Sequence, residues 1–399
     1  MNEATMLALA GIAYRGFNLV YPEPLQSRRL RALMDECMAN FLPLTAGWEI
    51  VWGPVSFRAT SVSLADAVMY VAENQNSRRS LAIAMRGTNP ISLSDWLFGD
   101  LLVSQQEPWT YAGTPSGKIS VSSAFGLGIL KLLRWDESII EPGARAPAPA
   151  GSVPGPGILD RWRDPLRATA MAAELLATIT RRLADAPDAL GKASDLLRQI
   201  AAEQSARPGT TLKQFLAAYI NQHGACDVYV TGHSKGGALA STLALWLADT
   251  RGPQENAAEQ WNPDPKAPIH YYSFASPTVG DSAFADHTDA VLTDSHRIWN
   301  QRDVVPRAFI PADLCAISVY YGLRGAERLL IDELTNHVAS AVADLNYQHS
   351  CRPGDSFDPA PLPDRPLLPQ IIHQHLEGYL ERNHLTTGIS TATLFTPAV

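Results

Sequence analysis

The sequence predicts an α/β fold, a mainly parallel central sheet with helices on both faces. Three observations carry this. Short apolar, β-branched runs alternate with longer segments of helical period. The run Val228-Tyr229-Val230-Thr231 passes into a glycine-flanked serine turn, Gly232-His233-Ser234-Lys235-Gly236, and then into a small-residue helix start, Gly237-Ala238-Leu239-Ala240. Downstream, His270–Ala275 and His296–Asn300 repeat the strand pattern with helical connections between.

Taken in order, the first forty residues read as helical. Leu7, Ala10, Ile12 and Ala13 form one apolar run, and Leu30, Leu33, Met34, Cys37 and Met38 recur at helical spacing. Strands follow at Trp48–Trp52, Ala67–Ala72 and Leu81–Met85, the last two joined as a hairpin by the polar turn Glu73 to Arg79. After Asp100 comes a loop-rich piece and an apolar stretch from Phe125 to Leu133. Pro142, Pro147, Pro149, Pro154 and Pro156, with glycines nearby, cannot pack a core and read as an exposed linker. Asp164-Pro165 then has the pattern of a helix start. Leu175, Ile179 and Leu183 mark one stripe of an amphipathic helix. Helical pieces at Leu196–Ala202 and Leu212–Ile220 lead to the strand before Ser234, and Leu330, Leu334, Val338, Ala341, Val342 and Leu345 mark a further amphipathic helix. One domain over 1–399 is expected, with a Pro-rich linker and helical insertion at 135–205.

Of the 399 residues, 46% are apolar, which suffices for a substantial core. The formal net charge of -8 argues against nucleic acid as a partner, since a phosphate-binding surface should be basic. Cys37, Cys226, Cys315 and Cys351 lack metal or redox spacing and are expected as buried free thiols. No stretch approaches the ~18 apolar residues of a membrane span. The N-terminus has Glu3 and no basic residue ahead of its short apolar run, unlike a signal peptide, so a cytoplasmic location is expected, with secretion of a processed form the alternative.

The turn at 232–236 carries the chemistry. A strand, a G-x-S-x-G turn and a helix form the nucleophile elbow of an α/β-hydrolase, which holds its serine strained at the tip of the sheet. Ser234 is therefore the candidate nucleophile, and it needs a base and an acid to orient that base. In this fold they follow in the order serine, acid, histidine. Asp303 lies just past the strand ending Trp299-Asn300, where the fold places its acid. For the base, Ile371-Ile372-His373-Gln374-His375 offers His375, with His373 the alternative and His349 and His384 more distant choices. His233 is expected to pack at the elbow, its side chain pointing away from Ser234. One oxyanion donor is the backbone N–H of Lys235, and Thr88, past the strand ending at Met85 and Arg86, can offer a second.

The chain resembles the class 3 (fungal-type) lipases of the α/β-hydrolase fold. Four segments carry the likeness in order: Arg86-Gly87-Thr88 with Asp95-Trp96-Leu97 and Asp100-Leu101; Val230 to Ser234; Phe274 to Gly280; and Asn300 to Pro306. They span roughly 45–130 and 210–310, with the His375 region a looser fifth match. The resemblance implies Ser234, Asp303 and His375 as a triad and Thr88 with Lys235 as an oxyanion hole. It implies hydrolysis of acyl esters without metal or cofactor, on a lipid or small acyl-ester substrate. Three features depart from the family: Lys235 in place of the more usual leucine, the spacing from His375 to Tyr379, and the long insertion between Thr88 and Ser234. The insertion reads as a lid over the site, with transient contact at a lipid interface, or as a helical pair packed on the core.

Overall fold

The structure, a computed structural model, describes residues 2–17, 19–41, 44–57, 67–77, 80–86, 101–113, 116–136, 189–252, 261–262, 268–362, 367–383 and 385. A seven-stranded sheet organises them: β1 (Trp48–Phe57), β2 (Ala67–Asn74), β3 (Ser80–Arg86), β4 (Asp227–His233), β5 (Ile269–Phe274), β6 (Asp294–Asn300) and β7 (Asp355–Phe357). Their spatial order follows the chain order. β1–β2 and β2–β3 pair antiparallel, whereas β3 through β7 run parallel. The expected mainly parallel sheet is therefore present, with the hairpin of β2 and β3 in register Val68 to Arg86. The first strand runs beyond Trp52 to Phe57. Gly53, at φ +81, sits in an irregularity of the ladder between Trp52 and Val55, and the strand resumes beyond it.

Alternation along the strands divides the core in two. Met69, Val71, Leu81, Ile83, Val228 and Val230 face one side, against α3 (Val121–Leu132), α5 (Leu212–His223) and α6 (Lys235–Asp249). Val68, Tyr70, Ala72, Ala82, Ala84 and Tyr229 face the other, against α1 (Glu3–Ile12) and α2 (Leu25–Asn40). Thr5 through Ile12 are all buried, because α1 is apolar nearly all round and lies across the sheet. α5 starts with a capping box in which Thr211 and Gln214 satisfy each other's backbone N–H groups.

Residues 137–188, the bulk of the expected insertion with Leu175, Ile179 and Leu183, lie outside the described residues. The chain on its two sides meets: Arg134–Trp135 pairs antiparallel with Thr210–Thr211. α4 (Ala189–Ser205) is its last part, with Ile200 buried in the core and Leu197 against Gly128 of α3. Cys37 and Cys226 are buried as expected, but Cys315 is exposed and Cys351 half-buried. Cys315 ends the short helix α8 (Pro311–Cys315), where Leu314 is buried and Cys315 is not. α7 (Ser282–Val291) links β5 to β6. α9 (Ile317–Tyr320) and α10 (Gly325–Val342) follow α8, with Leu334, Ala339 and Val342 facing inward. The described chain closes with α11 (Leu367–His375) and α12 (Glu377–Arg382). Among the described residues no helix is long and apolar enough to cross a membrane.

Candidate active site

β4, β5 and β6 end at the same edge of the sheet, and the candidate residues gather beyond their C-terminal ends. Ser234 joins β4 to α6 at φ +60 and ψ -135, a backbone state that costs a non-glycine residue about 1–3 kcal/mol. The surrounding chain imposes it. The Ser234 N–H donates to the Phe274 carbonyl, and the Ser234 carbonyl accepts from the Gly237 N–H. A Cβ on Gly232 would come 2.1 Å from the Gly236 carbonyl oxygen, and one on Gly237 would come 2.9 Å from Ser276 Cβ. Both glycines thus provide the close approach that the elbow requires. Although Ser234 stands at the N-cap of α6, its side chain makes no capping bond, so its hydroxyl is not spent on the helix.

Asp303 is fully buried, in the turn where its N–H donates to the Asn300 carbonyl. Three donors satisfy its carboxylate. The Val305 N–H reaches Oδ1 at 2.9 Å, while His375 Nδ1 and the Tyr379 hydroxyl reach Oδ2 at 2.8 and 2.9 Å. Since a carboxylate only accepts, the His375 proton sits on Nδ1 and Nε2 presents its lone pair. That Nε2 is buried and has no hydrogen-bond partner among the described residues. Burial, with the Asp303 charge beside it, pushes the Tyr379 phenol well above its ordinary range, which keeps it a donor.

The structure brings Asp303 and His375 together, and His375, four residues before Tyr379, is the histidine that meets the carboxylate. His373 instead faces Glu377 at 2.6 Å, and that carboxylate raises its pKa. His349 donates to the Pro306 carbonyl, and burial pushes its pKa down to about 3. His384 and Thr88 lie outside the described residues, as do Asp95, Trp96 and Asp100. Lys235 is the first residue of α6, where helix N–H groups lack intrahelical acceptors. His233 packs at the elbow, its ring 4.7 Å from that of His375.

Sequence reasoning missed three residues of this arrangement. Tyr379 donates to Asp303, and its oxygen accepts from the Asn300 N–H at 3.0 Å. The side chain of Asn300 donates at 2.8 Å to the Gln374 carbonyl. Tyr14, from the far N-terminus, reaches His233. Tyr379, four residues beyond His375, and Asn300, at the head of the Asn300 to Pro306 segment, left a signal in the sequence, whereas Tyr14 left none.

Residues 166–312, which include Ser234 and Asp303, match the family model described as Lipase (class 3). No curated protein matches the chain. Among solved structures it is similar to M37 lipase, at 26% identity and a TM-score of 0.70 over 99% of this chain and 96% of that one. Lip2 lipase from Yarrowia lipolytica and lipase II from Rhizopus niveus are more distant. The first shows 15% identity and a TM-score of 0.39 over 91% and 81% of the two chains, the second 14% and 0.37 over 77% and 74%. The likeness to class 3 lipases read from the sequence stands, and the chain is a carboxylic-ester hydrolase of the α/β-hydrolase fold.

Proposed function

We propose that the chain cleaves lipid acyl esters, acylglycerols first among them, through an acyl-enzyme on Ser234. The observation that carries this reading is the buried His375–Asp303 pair, its free nitrogen presented at the sheet edge where Ser234 is held strained and uncapped. Nε2 of His375 takes the hydroxyl proton as Ser234 Oγ attacks the ester carbonyl. The negative charge moves to the carbonyl oxygen, which the backbone N–H of Lys235 meets, with Thr88 as the second donor. Collapse breaks the ester C–O bond, and the alcohol leaves with the proton from His375. Water then enters, gives its proton to His375 and attacks the acyl carbon. Loss of Ser234 Oγ frees the acid and returns the proton to the serine.

Throughout, Asp303 keeps the ring in the Nδ1–H tautomer and balances the imidazolium. The cycle needs no metal or cofactor. Acylglycerols are favoured by the likeness to lipases and by Val319 and Leu329, 68% and 71% exposed on the helices that follow the Asp303 loop. Such side chains suit transient contact with a lipid surface.

The test is hydrolysis of nitrophenyl esters from short to long acyl chains by wild type beside Ser234→Ala. Activity abolished by the substitution and rising with chain length supports the lipase reading. Activity confined to short chains makes the protein an esterase, and release of fatty acid from phospholipid alone makes it a phospholipase. An inert wild type, or an equally active variant, would make the chain a silent binding module.

A further inference from the structure

We infer that His233, beside the nucleophile, is a positioning residue that ties the backbone of His375 to the nucleophile's strand, with Tyr14 holding its ring from the other side. The inference rests on the reading of His375 as the base. Three contacts define it. His233 Nε2 lies 2.9 Å from the His375 carbonyl oxygen. The Tyr14 hydroxyl lies 3.1 Å from His233 Nδ1 and 3.2 Å from its carbonyl oxygen.

The proton positions follow from donor chemistry. A carbonyl oxygen can only accept, so His233 carries its proton on Nε2. Its Nδ1 is then an acceptor, and the single proton of the Tyr14 hydroxyl is shared between Nδ1 and the His233 carbonyl oxygen. The ring is buried, and burial pushes its pKa well below the ordinary histidine range, so it stays neutral in this tautomer. No second proton can enter without displacing the Tyr14 contact.

The base has need of such a tie. His375 ends α11, and the last carbonyls of a helix have no intrahelical donor. Two successive carbonyls at this end are taken up by side chains from the sheet edge. The Gln374 carbonyl accepts from Asn300, three residues before Asp303. The His375 carbonyl accepts from His233, one residue before Ser234. One anchor thus places the base relative to the acid, and the other places it relative to the nucleophile. Asp303 orients the ring through Nδ1, but it cannot by itself fix where the backbone carrying that ring stands above Ser234. The His233 contact does, since it joins the two catalytic neighbourhoods directly. Tyr14, two residues past α1, completes the link.

The test uses the full chain and nitrophenyl butyrate, with thermal unfolding measured on every variant. His233→Phe keeps a ring but removes both hydrogen bonds. His233→Gln keeps an N–H that can reach the same carbonyl. Tyr14→Phe removes only the hydroxyl. His233→Phe should lower kcat by about 10- to 100-fold, the scale of a misplaced catalytic group, with KM within about twofold of wild type. His233→Gln should recover most of the loss. Tyr14→Phe should lower kcat a few-fold in the wild type and by clearly less in the His233→Phe background, where the ring contact is already gone and only the bond to the main-chain carbonyl of residue 233 remains.

The proposal is overturned if folded His233→Phe keeps its kcat, if His233→Gln is no better than His233→Phe, or if the Tyr14→Phe effect adds in full. Should His233→Phe fail to fold, Tyr14→Phe and His233→Gln decide. A kcat unchanged in Tyr14→Phe then overturns it. An ester-inert wild type, or a Ser234→Ala variant as active as wild type, overturns instead the hydrolase reading on which the proposal stands.

Discussion

Replacing Asp303 with asparagine sets the two ends of its carboxylate against each other. Oδ1 accepts from the Val305 N–H at 2.9 Å, and Oδ2 accepts from both His375 Nδ1 and the Tyr379 hydroxyl. An amide has one acceptor oxygen for these three donors. With its oxygen toward His375, its NH2 opposes the Val305 N–H in a buried site, a clash of two donors worth about 1–3 kcal/mol. With its oxygen toward Val305, its NH2 faces His375 Nδ1, and Tyr379 can turn its hydroxyl to accept. The second arrangement is favoured, and it reverses the tautomer: His375 accepts at Nδ1 and carries its proton on Nε2. A base already protonated on the working nitrogen cannot take the proton from Ser234. In a serine triad such a reversal costs about 10⁴-fold in kcat, equivalent to about 5 kcal/mol of barrier. Asp303→Asn should therefore lose about four decades of kcat on nitrophenyl butyrate while KM and the folded structure persist. The melting temperature should fall by only a few degrees, since the Tyr379 hydroxyl alone loses its acceptor and the other hydrogen bonds are remade. A folded variant that retains a tenth of wild-type kcat would refute the tautomer argument and the role of Asp303 with it.

Three further substitutions probe the same architecture. Tyr379→Phe leaves the Asn300 N–H without its acceptor and takes one donor from Asp303, so urea unfolding should show a loss of about 1–3 kcal/mol; an unchanged midpoint would mean that neither bond matters. Gly232→Ala places a Cβ 2.1 Å from the Gly236 carbonyl oxygen, a backbone contact that no rotamer relieves. It should destabilise by about 3 kcal/mol or more, and a normal unfolding midpoint would contradict the close approach at the elbow. His349 has a folded pKa of about 3 against an ordinary 6.5, because burial disfavours its charged form. A lowered histidine pKa means that the unfolded chain binds the proton first, so its contribution is intact above pH 6.5 and is lost as pH falls toward 3. The slope is about 1.4 kcal/mol per pH unit below about 6.5. His349→Gln can still donate to the Pro306 carbonyl but does not titrate. The stability difference between variant and wild type should therefore shift by about 2 kcal/mol in the variant's favour from about pH 7 to about pH 5. A difference independent of pH would refute the assignment.

The sequence alone determined whatever depends on local pattern. Strand period and the polar turn marked β2 and β3 as a hairpin, and the glycine at 232 marked a turn with no room for a side chain. The position of Asp303 after a strand marked it as the candidate acid, because parallel strands all end at one edge and loops there converge. The sequence could rank His375 and His373 but not separate them, since both lie on one helix two residues apart. Tertiary structure separated them by rotation: at about 100° per residue the two side chains leave α11 about 200° apart, one toward Asp303 and the other toward Glu377. The extension of β1 past Gly53 and the exposure of Cys315 were likewise decided by packing, which no local window contains. So was the link from Tyr14 through His233 to His375, which joins residues 14, 233 and 375. Periodicity reports which face of an element is apolar; it carries no information on which distant side chain will meet it there.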